Sequence, residues 1–249
     1  MTGFPVPPAV AEPPKPKNGL WLFARVFDEP EMVFKEITAK PRIGAPMLAI
    51  LLVFCLRAFA MPDSMLRKEA SMGMDAAEKF APGRITPEIR QQAMDRATKW
   101  TNRAIGAASG TVGIIVISLI AAGVLMGLFS LAGAELTYKD ELSIVLYAGA
   151  PTLLGIIAVL ALTPVTQSST FNLGLGFIVS SDKSPYLHAL AAQFTIFTMW
   201  QLYLLALGNQ IKRKAKTIGG SLMLVGGLWF TFALLGAWIG AKFGGGMMG

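Results

Sequence analysis

Few side chains in this 249-residue chain could do chemistry, and their types and spacing restrict what that chemistry is. His188 is the single histidine and Cys55 the single cysteine. That excludes an H-E-x-x-H zinc site, a multi-histidine metal centre and an internal disulfide. There is no G-x-x-x-x-G-K-[ST] phosphate loop, and Gly174-Leu175-Gly176 is too short for a dinucleotide fingerprint. Three features remain. Arg57 interrupts an apolar run, either as a functional intramembrane charge or as a side chain extending to the nearby interface. Tyr147-Ala148-Gly149-Ala150-Pro151 puts a proline in a second apolar run, so the helix must kink and leave the Tyr147 carbonyl in need of a partner. Thr195, Thr198 and Gln201 share one side of a third run, where they can hydrogen-bond across a bundle or line a polar path. His188 reads as an interfacial residue at the start of its helix. No nucleophile–base pair or paired carboxylates emerge, so no catalytic, cofactor-binding or metal-ligating residue is assigned and the chain reads as a non-enzyme.

The elements that must position these residues are apolar and long. The chain is 53% hydrophobic and only 15% charged, with a mean hydropathy of +0.55, and its charges cluster between uncharged runs. That pattern is an all-α integral membrane protein. Much of the net charge of +7 lies in short loops beside apolar runs, which points to anionic lipid headgroups and not to nucleic acid. The stretch from Ser184 to Lys216 organises the rest. Ser184 before Pro185 predicts a helix start capped by the serine hydroxyl. Tyr186 to Leu207 carries no formal charge; about 22 residues at roughly 1.5 Å each suffice for a hydrocarbon core of about 30 Å. Gly208 then offers a C-terminal cap, and the cationic loop of Lys212, Arg213, Lys214 and Lys216 is expected on the cytoplasmic side.

The pattern predicts a bundle of about five transmembrane helices, near 43–61, 110–133, 143–163, 185–208 and 217–241. Residues 1–18 read as a disordered Pro-rich tail and 242–249 as a flexible one. Residues 19–42 read as amphipathic interfacial helices anchored by Trp21, or as helices packed on the protein's own face. An extramembrane helical loop is expected at 62–104, with a helix start at Thr86-Pro87-Glu88. Glu135, Lys139, Asp140 and Glu141 are expected in a tight loop, and 164–183 in a re-entrant or interfacial one. Gly106/Gly110 and Gly123/Gly127 have the spacing that lets helices approach closely. Ala58-Phe59-Ala60 is shaped like a signal cleavage site but follows too long a leading segment to be one. With five spans and the cationic loop inside, the N-terminus lies inside and 62–104 outside a multi-pass protein of the bacterial cytoplasmic membrane.

Three stretches carry a resemblance: FDEPEMVFKEITAKPRIGAP at 27–46, YAGAP at 147–151, and above all FTMWQLYLLALG at 197–208 before the basic loop. On these the chain resembles the Yip (Ypt/Rab-interacting) domain family of multi-spanning membrane proteins, in its bacterial branch, over about residues 22–240. The resemblance implies a five-span membrane domain without known catalysis. Some bacterial relatives accompany ABC-type export systems, which implies an accessory role. The candidate packing or interaction residues are Arg57, Tyr147, Pro151, Trp200, Gln201 and Gly208. The expected partners are the lipid bilayer and a protein partner or second copy within it, with no cofactor. The leading expectation is a non-enzymatic membrane scaffold or accessory subunit. The alternative is a channel or carrier for a small or lipidic solute, its path lined by the Pro151 break and the Thr195/Gln201 face.

Overall fold

The computed structural model describes residues 18–166, 174–179 and 184–243. The Pro-rich tail before Asn18, the tail beyond 243 and much of the loop expected at 164–183 lie outside the described residues. Within them the chain is helical: α1 (Gly19–Ala24), α2 (Pro30–Ala39), α3 (Gly44–Ala60), α4 (Asp63–Phe80), α5 (Pro87–Ala97), α6 (Trp100–Leu131), α7 (Tyr138–Ala148), α8 (Ala150–Thr166), α9 (Pro185–Ala192), α10 (Ile196–Lys212) and α11 (Gly219–Phe243). A 3₁₀ turn at Leu175–Ile178 precedes α9.

Three segments are long and apolar enough to cross a membrane: α6, α7 with α8 as Tyr138–Thr166, and Gly219–Ala241 of α11. A fourth is reached if α3 and α4, bent by 101°, count as one broken span. Their outward faces are apolar, with Ile117 and Ile120 each 62% exposed and Met223 80% exposed. Surfaces of that kind belong in hydrocarbon, where every backbone polar group must also be satisfied within the chain, as helices do. The protein is an all-α membrane protein. The stretch expected as one span at 185–208 is two helices, α9 and α10, separated at Gln193–Thr195. Thr195 restarts the chain by accepting the Thr198 N–H at 2.9 Å, while Gln193 Nε2 donates across to the Ala233 carbonyl of α11 at 3.1 Å. The expected Ser184 hydroxyl cap does not form, although Pro185 does open α9.

The N-terminal helices settle between their two sequence readings. Leu22, Val26, Val33, Phe34 and Ile37 are wholly buried against the protein itself, with α2 seated on α10 and α7. The Phe27 ring meets Trp200 edge-on at 5.4 Å between centroids. Gly208 explains how α2 comes so close, and it corrects a sequence expectation. It does not cap α10, which continues to Lys212. A Cβ there would lie 2.6 Å from Ile144 Cγ2 and 2.8 Å from Phe34 Cδ1, so glycine is what lets α2, α7 and α10 meet. Of the two glycine pairs in α6, Gly110 sits at a close approach, under the Phe54 ring of α3, while Gly106 and Gly127 face open space.

At the far end of α3 the chain turns sideways. The 101° bend lays α4 across the end of the bundle, and α5 packs back on it through Arg67–Asp95 and Arg90–Asp75 ion pairs, each 2.6 Å. Thr86 caps α5 by accepting the Ile89 N–H at 3.4 Å. A break at Thr98–Lys99 keeps α5 from running into α6. Arg103 at the start of α6 then donates to the Ala58 and Met61 carbonyls, each at 2.9 Å, and pairs with Asp63. It thereby satisfies carbonyls that the last turn of α3 leaves over.

Gly208→Ala is expected to cost about 1–3 kcal/mol by overpacking, read as a lower melting temperature of the detergent-solubilised protein, with Gly106→Ala nearly neutral. The Arg67 hydrogen bond, with Gln91 assisting, holds the Asp95 carboxyl below the ordinary carboxylate range. Because the folded form binds its proton less readily, this small contribution is present above the unfolded pKa and lost as pH falls through the folded value. Carboxyl NMR titration should show Asp95 moving back up in Arg67→Met.

Candidate functional site: a buried polar clasp and an arginine cleft

The clasp is built on the first turn of α7. Thr137 and Asp140 form a capping box: Thr137 Oγ1 accepts the Asp140 N–H at 3.2 Å, and Asp140 Oδ2 accepts the Thr137 N–H at 3.1 Å. The same carboxylate meets Lys212 Nζ at 2.9 Å, and Lys212 also donates to the Thr38 carbonyl at 3.3 Å. One ammonium therefore ties the end of α10 to the start of α7 and the end of α2. Beside it, Glu141 is completely buried and its Oε1 accepts Asn209 Nδ2 at 3.0 Å. Asn209 gives its other amide hydrogen to the Leu205 carbonyl at 3.1 Å. Glu141 Oε2 and Asn209 Oδ1 are both buried without a hydrogen-bond partner among the described residues.

Further along α7, Ser143 Oγ accepts the Arg42 N–H at 3.2 Å and donates to the Arg42 carbonyl at 3.1 Å. Tyr147, wholly buried, donates its hydroxyl to the Gly19 carbonyl at 3.3 Å and receives the Phe23 ring edge-on at 5.7 Å. The helix is interrupted at Gly149, whose N–H still bonds the Val145 carbonyl at 3.1 Å, and Pro151 stands buried in the first turn of α8. Gln201 Oε1 accepts from Thr152 Oγ1 at 2.7 Å and so joins α10 to α8.

At the other end of the bundle, Arg57 in the last turn of α3 pairs through Nη2 with Glu69 of α4 at 2.7 Å. It lines a cleft of about 340 Å³ together with residues of α8 and α10. A second groove, of about 390 Å³, runs between α6, α10 and α11 and is almost entirely apolar, with Val124, Leu202, Trp229 and Phe232 in its walls. Among the described residues no three His, Cys, Asp or Glu side chains group as metal ligands. His188 Nδ1 donates to the Val179 carbonyl at 2.8 Å, which fixes the proton on that nitrogen.

The three stretches that carried the family resemblance meet in space. Phe34 and Arg42 come from the first, Tyr147 and its neighbours from the second, Trp200 and Gly208 from the third, all around α7. The Yip1 domain model matches residues 24–239. The chain belongs to the Yip1 domain family. It is similar to membrane protein YknW of Bacillus subtilis (strain 168), 24% identical over 225 residues that cover 88% of this chain and 91% of that one. No solved structure matches it.

In this Yip1 chain the candidate residues divide between the two ends. Gly208 adjoins the clasp and Tyr147 stands further along α7, whereas Arg57 lies at the cleft and Pro151, Trp200 and Gln201 lie between. Asp140 and Glu141 correct the sequence reading. They are not in a tight loop but in a helix, because Asp140 caps it and Lys212 and Asn209 supply partners. The missed signal was the Thr137-x-x-Asp140 spacing, a helix-start pattern in plain view. Nothing in the sequence marked Asn209 as the partner of Glu141, 68 residues earlier. Thr195 and Thr198 bond each other within one turn, and among the described residues it is Gln201 of the expected polar face that crosses to another helix.

Asn209→Leu leaves a buried carboxyl without its donor and is expected to cost about 1–3 kcal/mol. Thermal unfolding in detergent should show that loss, while Lys216→Met, at an exposed position, should leave the melting temperature unchanged.

Proposed function

We propose that this Yip1 protein is a non-enzymatic, multi-pass scaffold or accessory subunit of the bacterial cytoplasmic membrane, serving an ABC-type export system or another membrane complex. The observation that carries this reading is one face of α11. A Cβ added at Gly219, Gly220, Gly226 or Gly227 would meet nothing within 4 Å in the protein's own fold. These positions recur after seven residues, about two helical turns, with the exposed Met223 between them. Bare backbone facing lipid is what lets a second helix approach closely, where association rests on van der Waals packing. The resemblance to bacterial relatives that accompany ABC-type exporters supports the choice of partner.

The sidedness proposed is the N-terminal helices and the Lys212–Lys216 loop inside. Lys212 bonded to Thr38 puts those two regions at one end, so a single assignment covers both. The local excess of cations in the short loop argues for the cytoplasm.

A photo-crosslinking residue in place of Met223 is expected to capture a membrane partner in cells, and Gly226→Ile with Gly227→Ile to abolish the adduct without lowering the melting temperature. Recovery of a lone monomer with no adduct would count against the scaffold reading. For sidedness, a cysteine replacing Lys214 should resist a membrane-impermeant thiol reagent added outside intact cells, and one replacing Arg84 should react.

A further inference from the structure

The cleft at the end of α3 has a chemistry of its own, independent of the α11 face. Its volume of about 340 Å³ falls within the range of small-ligand sites, about 300–1,000 Å³. Ile156, Leu160 and Phe197 give it apolar walls; Arg57 and three threonines break them, and no carboxylate is among its lining residues. The one charged group lining the cleft is a donor. Arg57 uses Nη2 on Glu69 at 2.7 Å, and its other N–H groups have no partner among the described residues. Thr195 Oγ1 and Thr198 Oγ1 lie 2.9 Å apart, and Thr195 Oγ1 also accepts the Thr198 N–H at 2.9 Å. Two hydroxyls sharing one hydrogen bond leave one O–H to donate elsewhere.

A guanidinium with a free N–H edge takes an oxyanion, and its planar fork suits phosphate or carboxylate. The position of the charge selects the kind of anion. Leu52, Leu56 and Phe59 on the same helix are 59%, 48% and 53% exposed, so α3 faces hydrocarbon up to its final turn, where Arg57 stands. A cation there sits where the acyl chain of a lipid joins its head, beside a slot that can take the chain. The pair with Glu69 does not fill the fork, since it is single-point and both side chains remain partly exposed. We propose that this cleft is a binding site for an anionic lipid, with its head oxyanion on Arg57 and the Thr195/Thr198 hydroxyls and an acyl chain along α8.

Gly155 supplies a variant that leaves the charge untouched. A Cβ there would lie 3.1 Å from the Phe197 ring, so the ring rests on the α8 backbone, and a larger side chain drives it into the cleft. The test uses the full chain reconstituted in phosphatidylcholine vesicles doped with phosphatidylglycerol that carries a photoactivatable group in its acyl chain. Adducts are expected on α8 and the first turn of α10. Both Arg57→Gln and Gly155→Leu should lower them about tenfold, a loss of about 1.4 kcal/mol, with Arg57→Lys intermediate. Size-exclusion profiles check that each variant stays folded, and if Arg57→Gln aggregates, Gly155→Leu decides. Unlabelled phosphatidylglycerol should compete and extra phosphatidylcholine should not. Millimolar inorganic phosphate without effect assigns the site to a lipid; displacement by it would overturn the lipid in favour of a free anion. Labelling indifferent to the folded variants, adducts confined to the α6/α10/α11 groove, or a protein crosslinked in the cleft instead would each overturn the proposal.

Discussion

At Gly208 three helices meet with no side chain standing between α10 and its neighbours, and the rest of the bundle follows from that contact. Phe34 of α2 and Ile144 of α7 both lie closer than a methyl group would allow. Within hydrocarbon the usual drive to bury apolar surface is absent between helices, so association rests on tight packing and hydrogen bonds. The close approach supplies the first and positions the second. One turn further on, Lys212 reaches the Asp140 carboxylate and the Thr38 carbonyl together, and Asn209 reaches Glu141. A bulkier residue at 208 would separate the partners of all three bonds at once.

The two ends of the molecule handle polar groups in contrasting ways. At the clasp, charges face inward: Asp140 and Glu141 are buried, and their partners come from a helix distant in sequence. At the other end, arginines reach over helix ends, with Arg103 closing the carbonyls of α3 and Arg57 holding the crossing helix α4 through Glu69. The first arrangement ties three helices together but leaves Glu141 Oε2 and Asn209 Oδ1 buried without a partner among the described residues. The second leaves N–H groups of Arg57 without a partner among the described residues.

How much of this was legible follows from where each signal resides. The long uncharged runs, the start of α5 at Thr86 and the family stretches could be read directly, because composition and local spacing determine them. The burial of α2 was one of two readings, since an amphipathic helix has the same pattern whether lipid or protein covers it. Asp140 and Glu141 looked like loop residues because charge beside an apolar run ordinarily means water; the Thr137 capping box makes them helical, and partners from α10 allow them to be buried. Gly208 resembled a helix end for a similar reason: glycine followed by cations is a common terminus, and nothing local reveals that Phe34 needs the space. The break before Thr195 was invisible to hydropathy, which averages over the residues that interrupt the helix.

The lengths of α3 and α6 have a consequence for the surrounding bilayer. Seventeen helical residues in α3 extend about 25 Å at about 1.5 Å each, whereas the thirty-two of α6 extend about 48 Å. The shorter helix falls a few Å below the usual hydrocarbon thickness of about 30 Å, and it is bolted alongside the longer one, so tilting cannot correct both. If α3 and α4 form one broken span, lipid along the α3 flank would have to thin, at a fraction of a kcal/mol for each Å of mismatch. Such thinning would bring headgroups toward Arg57 in the last turn of that helix.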